Sequence, residues 1–458
     1  MTRFLFCLLV VLTVSCGKKE SNSSSVFFAG EIVNPTNDKV ILFRGDEPLD
    51  TAYLDQFNRF AIELDSVVEG LHHFQHHPEE QYVYLEKGDS IQLRLNTINF
   101  DESLVFSGSG EEINNFMVEM FLADEAEERL VYHLYKLEPA TFAAKIDSLR
   151  NTKLESLQNL FDEYSISQGA YDMAKAGIEY GTYIYMEAYP FYHRKKTGEK
   201  IFHKLPANFY DYRQDINFNY KGLAYLRPYY NFMKYHLGNM SYMGCMEKCG
   251  DIELESNQLH FNKHKLFLID SLVQEIELRD NLFRNVAMDY LLKHDNEENI
   301  GRFISDFHKL SGNNRHIGEI NDLYEGIKRM QPSKELPELT LYSSDESPVS
   351  LSELSRGQET VFYFWSGSEM GHFRNISKRI AKLKSKYPRY NFIGINLRTD
   401  INRWKSLIEN HNLSPSEQYW ADDFDAITHT LIISDSNKGI IAKDGVIIDG
   451  FANVYQSF

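Results

Sequence analysis

Residues 362–375 read FYFWSGSEMGHFRN, inside the longer stretch ETVFYFWSGSEMGHFRNISKRIAKLKSKY at 359–387. The unbroken apolar run Val361 to Phe364 predicts a strand buried on both faces. Ser366 to Glu369 interrupts it, and a helical pattern follows. Further on, Phe392 to Leu397 predicts a second strand with a helix around Trp404, and Leu431 to Ile433 a late strand. Upstream, GIKRMQPSKELPELTL sets Pro332 and Pro337 in a polar hinge, and Trp365, Trp404 and Trp420, all the tryptophans of the chain, lie beyond it. A separate domain therefore starts at about residue 332.

Read from Leu336, the segments LPELTLYSSDESPVSLSEL, ETVFYFWSGSEMGHFRN, NFIGINLRTDINRWKSLI and THTLIISDSNKGII resemble, in this order, the TlpA-type branch of thioredoxin-like proteins. The resemblance implies an α/β domain over 332–458 with a Cys-x-x-Cys pair at a helix N-terminus, where the helix dipole lowers the pKa of the first thiol. Placing Phe364 and Trp365 on the family's Phe-Trp puts Glu369 at the first cysteine position and His372 at the second. Aligning Asp435 and Gly439 with the family's Asp and Gly turn puts His429 where the family carries a cis-proline. A cis bond before histidine costs about 3 to 4 kcal/mol, so a trans bond is expected there. Both elements of the redox site are replaced, and the resemblance implies a degenerate site, that of a pseudoenzyme. After GVIIDGF only ANVYQSF remains, too short for the family's terminal helix.

The same alignment would make Glu369, His372 and His429 neighbours, two imidazoles and a carboxylate that could ligate a divalent metal. The partial positive charge of a helix N-terminus opposes a dication there. The other reading has Glu369 capping the helix through backbone N–H groups, with both histidines on the surface. No cofactor other than such a metal is expected.

The chain opens MTRFLFCLLVVLTVSCGKKE. Arg3 and the short apolar core Leu5 to Val14 predict a secretion signal over 1–15, too short to span a bilayer. Leu12 to Cys16 resembles the lipobox of bacterial lipoproteins, which implies lipidation of Cys16. A polar tether over 16–25 follows, and Gly17 after the cysteine points to the outer membrane, facing the periplasm. With 66 acidic against 48 basic residues and a formal charge of −18, the chain is not built for nucleic acid or for electrostatic adhesion to anionic lipid.

From Val26 to Ser107, alternating runs such as VFFAGEIV, KVILF, TAYLDQFNRFAIEL and YVYLEKGDSIQLRL are broken by Asn-Pro and Lys-Gly-Asp turns. They predict an antiparallel β sandwich over 26–107. It resembles the β-rich domain of unknown function that precedes thioredoxin-like domains in envelope lipoproteins. Within it GLHHFQHHPEE carries His72, His73, His76 and His77. On a strand His72 and His76 face one side and His73 and His77 the other, which disfavours one shared metal site.

Residues 108–331 switch to helical periodicity. Ile113, Phe116, Met117, Met120 and Phe121 form one stripe, and Leu282, Phe283, Val286, Ala287, Tyr290 and Leu291 another. The segment is rich in tyrosine, including Tyr180, Tyr183, Tyr185, Tyr189, Tyr192, Tyr225, Tyr229, Tyr230, Tyr235 and Tyr242. Such amphipathic rings suit either half-buried packing or a partner-binding groove. GCMEKCG holds Cys245 and Cys249 on one helix face. Flanked by Gly244 and Gly250, they are a local disulfide, two unpaired thiols, or a thiol pair for redox work, although three intervening residues depart from the usual redox spacing.

The expected architecture is α+β multidomain: β sandwich, helical middle, thioredoxin-like C-terminus. The expected function is a redox-inactive, lipid-anchored envelope protein that binds a protein, peptide or glycan. The alternative is an enzyme, acting through Cys245 and Cys249 or through a metal at Glu369, His372 and His429.

Overall fold

The computed structural model describes residues 24–199, 205–249 and 257–458, with 246–249 by backbone alone. The expected leader, Cys16 and the side chain of Cys249 lie outside the described residues. The chain is a mixed α/β, multidomain protein whose contacts divide it into two compact units, one ending at His236 and the other starting at Leu237.

In the first unit, β1 (Val26–Val33), β4 (Arg59–Leu64), β7 (Ser90–Asn96) and β8 (Val105–Gly108) form a sheet in the order β4-β1-β7-β8. The strands β2 (Lys39–Arg44), β3 (Glu47–Tyr53), β5 (Gly70–His76) and β6 (Glu79–Leu85) form a second in the order β3-β2-β5-β6. Alternate residues of both, among them Phe28, Leu42, Phe74, Val83, Leu93 and Phe106, share one core, so the sheets make a sandwich. It is not wholly antiparallel as expected, because β1 and β7 pair in parallel. The whole of β2 to β6 separates those two strands in sequence, which leaves ample chain for the crossover a parallel pair needs.

The expected run TAYLDQFNRFAIEL splits between the two sheets. Asp55 Oδ1 accepts from the N–H groups of Phe57 and Arg59 at 2.7 and 2.9 Å, and Asn58 takes φ of 59°. This Asx turn ends β3 and starts β4. A short helix α1 (Phe100–Ser103) precedes β8, and the long helices α2 (Glu111–Leu134), α3 (Pro139–Glu163), α4 (Gln168–Thr197) and α5 (Arg227–Cys249) follow. The division between the units falls inside α5. Asn114 of α2 accepts from Tyr84 N–H at 2.7 Å and donates to Tyr84 C=O at 3.0 Å, fastening α2 along β6.

The second unit holds α6 (Gln258–Leu272), α7 (Ile276–Leu291), α8 (Glu297–Leu310) and α9 (Ile317–Arg329), then β9 (Thr340–Tyr342), β10 (Pro348–Ser350) and the short α10 (Leu351–Leu354). Beyond these come β11 (Thr360–Ser366), α11 (Met370–Lys386), β12 (Asn391–Leu397), α12 (Ile401–Asn410), β13 (Gln418–Trp420), α13 (Phe424–Thr430), β14 (Lys438–Lys443) and β15 (Val446–Asn453). The sheet order is β10-β9-β13-β12-β11-β14-β15, with β13, β12 and β11 parallel and the β14–β15 hairpin antiparallel to β11. Every residue of β11 is buried, as its unbroken apolar run predicts. After Asn453 the chain turns without a further helix.

The expected strand at Leu431 to Ile433 does not form. Asp423 caps α13 by accepting from Ala426 N–H at 2.8 Å, and the chain leaves that helix at Ile432 with φ of 52°. Leu431 and Ile432 are buried as a plug at the helix end, and the strand comes later, as β14.

Candidate functional site

Glu369 is the residue before α11, and His372 stands in its first turn. Glu369 is exposed and its side chain accepts no capping hydrogen bond, so the expected capping role is not realised. His372 is half-buried, and its Nε2 is shielded with no hydrogen-bond partner. The Ser366–Glu369 loop is held by its neighbours. Gly367 N–H donates to Thr399 Oγ1 at 2.7 Å, Arg403 Nη2 donates to Gly367 C=O at 2.8 Å, and the hydroxyls of Ser366 and Ser368 meet at 2.7 Å. A Cβ at Gly367 would stand 2.7 Å from Thr399 Cγ2 and 2.9 Å from Leu407 Cδ1, so Thr399 and α12 close over the loop.

His429 is exposed near the end of α13, and the one cis bond among the described residues precedes Pro78. Among the described residues, no three of His, Cys, Asp and Glu stand together to hold a metal. The expected set of Glu369, His372 and His429 is thus not assembled, because the segment that was to present His429 before a strand is helical.

The histidine cluster alternates as its strand requires. His72 and His76 are buried, His73 stacks on Phe43 at 4.8 Å, and His77 lies past the end of β5. His76 accepts from Thr36 N–H at Nε2 and donates from Nδ1 to Lys39 C=O, both at 3.0 Å. Burial lowers the pKa of His72 to about 4. These rings pack and cross-link strands.

An apolar cavity lies in the first unit among β6, α2, α4 and the start of α5, with a volume of about 730 Å³. One wall is α2, through Phe116, Met117, Met120 and Phe121, the stripe legible in the sequence. The facing wall is α4, through Ala174, Gly177, Ile178, Gly181, Ile184, Tyr185 and Ala188. Space exists because that face is small. A Cβ on Gly177 would meet nothing within 4 Å, and one on Gly181 would meet only Asp124 Oδ2 at 3.6 Å. Glycine inside a helix costs about 1 kcal/mol relative to alanine, and no tight contact requires it at Gly177. Tyr82 closes one end by accepting from Arg227 N–H at 2.7 Å and donating to Tyr225 C=O at 2.9 Å.

Tyr132, Tyr135, Tyr185, Tyr192 and Tyr235 complete the aromatic lining, with Tyr135 and Tyr192 stacked at 4.8 Å. Burial raises the Tyr135 and Tyr185 hydroxyls above the ordinary tyrosine pKa, so they face the cavity as neutral donors. Carboxylates of α2 give a polar margin: Asp124, Glu125 and Glu128 line the cavity, and the buried Lys153 ammonium bridges Asp124 and Glu127. Sequence reasoning found the tyrosines and the methionine stripe. It missed Gly177 and Gly181, whose role depends on which helix faces them.

No family model matches the chain, and no curated protein is similar to it. Among solved structures, the thioredoxin domain of a thiol-disulfide oxidoreductase from Bacteroides vulgatus is similar at 18% identity over 26% of this chain and 86% of that one, with a TM-score of 0.23. A secreted disulfide oxidoreductase of Mycobacterium tuberculosis is similar at 19% identity, over 25% and 83%, with a TM-score of 0.21. A thiol:disulfide interchange protein from a Bacteroides species is similar at 18% identity, over 26% and 80%, with a TM-score of 0.22.

Proposed function

We propose that this protein is a lipid-anchored binding protein of the bacterial cell envelope, in which a thioredoxin-like domain has given up dithiol chemistry. The reading of the domain rests on the parallel β13-β12-β11 strands with the antiparallel β14–β15 hairpin, and on Glu369 and His372 at the head of α11, where a dithiol would be needed. The anchor is the lipid on Cys16, and no described helix is long and apolar enough to cross a membrane. Gly17 after the lipidated Cys16, in place of an aspartate, supports an outer-membrane protein facing the periplasm.

The ligand is a peptide or protein segment with apolar side chains. The observation that carries this is the cavity between α2 and α4, kept open by Gly177 where the fold has no need of glycine. Adaptable methionines and rigid tyrosines are the side chains that accept varied apolar groups, while a glycan would call for a denser set of polar contacts.

Two measurements test the reading. The protein should bind the apolar probe N-phenyl-1-naphthylamine saturably, and a leucine- and methionine-containing decapeptide should displace it. It should also leave the rate of insulin reduction by dithiothreitol unchanged. Catalysis of insulin reduction, or a probe that binds without saturation, overturns the proposal.

A further inference from the structure

The second unit contains a cavity of different character, about 860 Å³, among α5, α6 and the start of α8. Cys245 lines it from α5 and is 3% exposed. The Nδ1 of His264, on α6, stands 3.5 Å from Cys245 Sγ and 3.3 Å from the Ser241 carbonyl. A carbonyl accepts only, so an imidazolium at this position would donate its Nδ1–H toward Ser241 C=O and the Cys245 sulfur. Gly244 lies against this ring, where a Cβ would stand 3.2 Å from His264 Cε1 and push the imidazole by a few tenths of an ångström.

The lining is cationic in a chain of net charge −18. Among the described residues, Lys263, Lys293 and Arg302 border the cavity against one carboxylate, Asp295. Lys263 is paired with Asp306 at 2.7 Å, and Asp295 is occupied by the Tyr290 hydroxyl at 2.7 Å and by Asn299 Nδ2. Lys293, which lines the cavity, donates to Gln258 Oε1 at 2.8 Å, a neutral acceptor that leaves its charge unpaired by this contact. The described lining therefore carries a net positive charge, which favours a thiolate and attracts anions.

We propose that Cys245 and His264 form a single-thiol exchange site for a small anionic disulfide. His264 takes the Cys245 proton and the thiolate attacks one sulfur of the disulfide. The new Cys245 S–S bond forms as the old S–S bond breaks, and the departing thiolate takes up the proton. One thiol and one disulfide give one mixed disulfide and one thiol, with the small disulfide as the only oxidant. This site is independent of the aromatic cavity, and either proposal can fail alone.

The test follows Cys245 by peptide mass mapping in the full chain, which separates it from Cys249. The full chain is exposed to dithiodipropionate, which is anionic, or cystamine, which is cationic, and each rate is divided by that disulfide's rate with N-acetylcysteine. The normalised anionic rate should exceed the cationic by about tenfold. Lys293→Gln with Arg302→Gln should bring the ratio near one. His264→Gln and Gly244→Ala should each slow exchange at pH 7 by about tenfold and keep the anionic preference. Matching urea transitions establish that the variants fold. A native Cys245 that stays unmodified while the urea-unfolded chain reacts, or a ratio of one in the parent protein, overturns the proposal.

Discussion

Glu187 and His236 meet inside the first unit, His236 Nδ1 donating to Glu187 Oε1 at 2.7 Å where neither side chain reaches solvent. The same carboxylate accepts from the Tyr212 hydroxyl and from Arg213 Nε, both at 2.9 Å, and from Arg213 Nη2. Burial alone would raise the Glu187 pKa, but the hydrogen bonds and charges of His236 and Arg213 outweigh it and bring it down to about 2. The network joins α4, α5 and the turn at Asp211–Asp215 beside the aromatic cavity.

Glu187→Ala is expected to lower stability by about 3 to 5 kcal/mol, the cost of leaving buried partners of an ion pair uncompensated. Because the folded pKa lies below the unfolded one, the stability this carboxylate contributes is complete above its ordinary value of 4.5 and is lost as pH falls toward 2. Urea unfolding of parent and variant at pH 7 and at lower pH checks this. An equal difference at every pH would refute the linkage.

Two neutral histidines set an acid limit at higher pH. Burial lowers His72 to about 4, and burial together with the Lys438 ammonium lowers His294 to about 4 from the ordinary 6.5. His294 also stacks on Phe451 at 3.7 Å. In this window the unfolded chain binds more protons, so stability falls as pH drops from 6.5 to 4. The variant His294→Phe should show a shallower fall than the parent, measured as urea midpoint against pH.

Gly177→Leu should project a side chain into the cavity, because a Cβ there meets nothing within 4 Å. Probe affinity is expected to drop by about tenfold, while stability holds or rises by about 1 kcal/mol as helix propensity improves. Titration with N-phenyl-1-naphthylamine and a thermal melt together decide it. Undiminished affinity would mean that the probe binds elsewhere.

Placing a dithiol at the head of α11 tests the proposed loss of dithiol chemistry. The double variant Glu369→Cys, His372→Cys places one thiol just before α11 and one in its first turn, and should form an internal disulfide on oxidation, read as a loss of two mass units. Insulin reduction is still expected to be negligible, since Thr399 and Arg403 hold the loop closed from the other side. Vigorous turnover would show that the closed loop does not prevent dithiol chemistry at this position.

Where residues act through local pattern, the structure follows the sequence. The run at Val361 to Phe364 becomes β11 because its apolar residues cover both faces, and period-two alternation fixes the inward residues of the sandwich. Local pattern failed at Leu431 to Ile433, where an apolar run looks alike as a strand and as a helix-end plug, and the Asp423 cap decided for the helix. It failed again at Glu369, His372 and His429, since linear order cannot show that α13 carries His429 on a helix.

By itself the sequence determined the net charge, the doubly buried run of β11, the inward residues of the sandwich and the absence of a cysteine pair at the head of α11, because these depend on residue identity and short-range periodicity. Only the tertiary structure decided that β1 and β7 run parallel, that Gly177 faces empty space, that Glu187 finds His236 and Arg213, and that His264 comes up beside Cys245. Each of these joins residues far apart in the chain, and such pairs are selected by the packing of whole helices and sheets, which no local preference encodes.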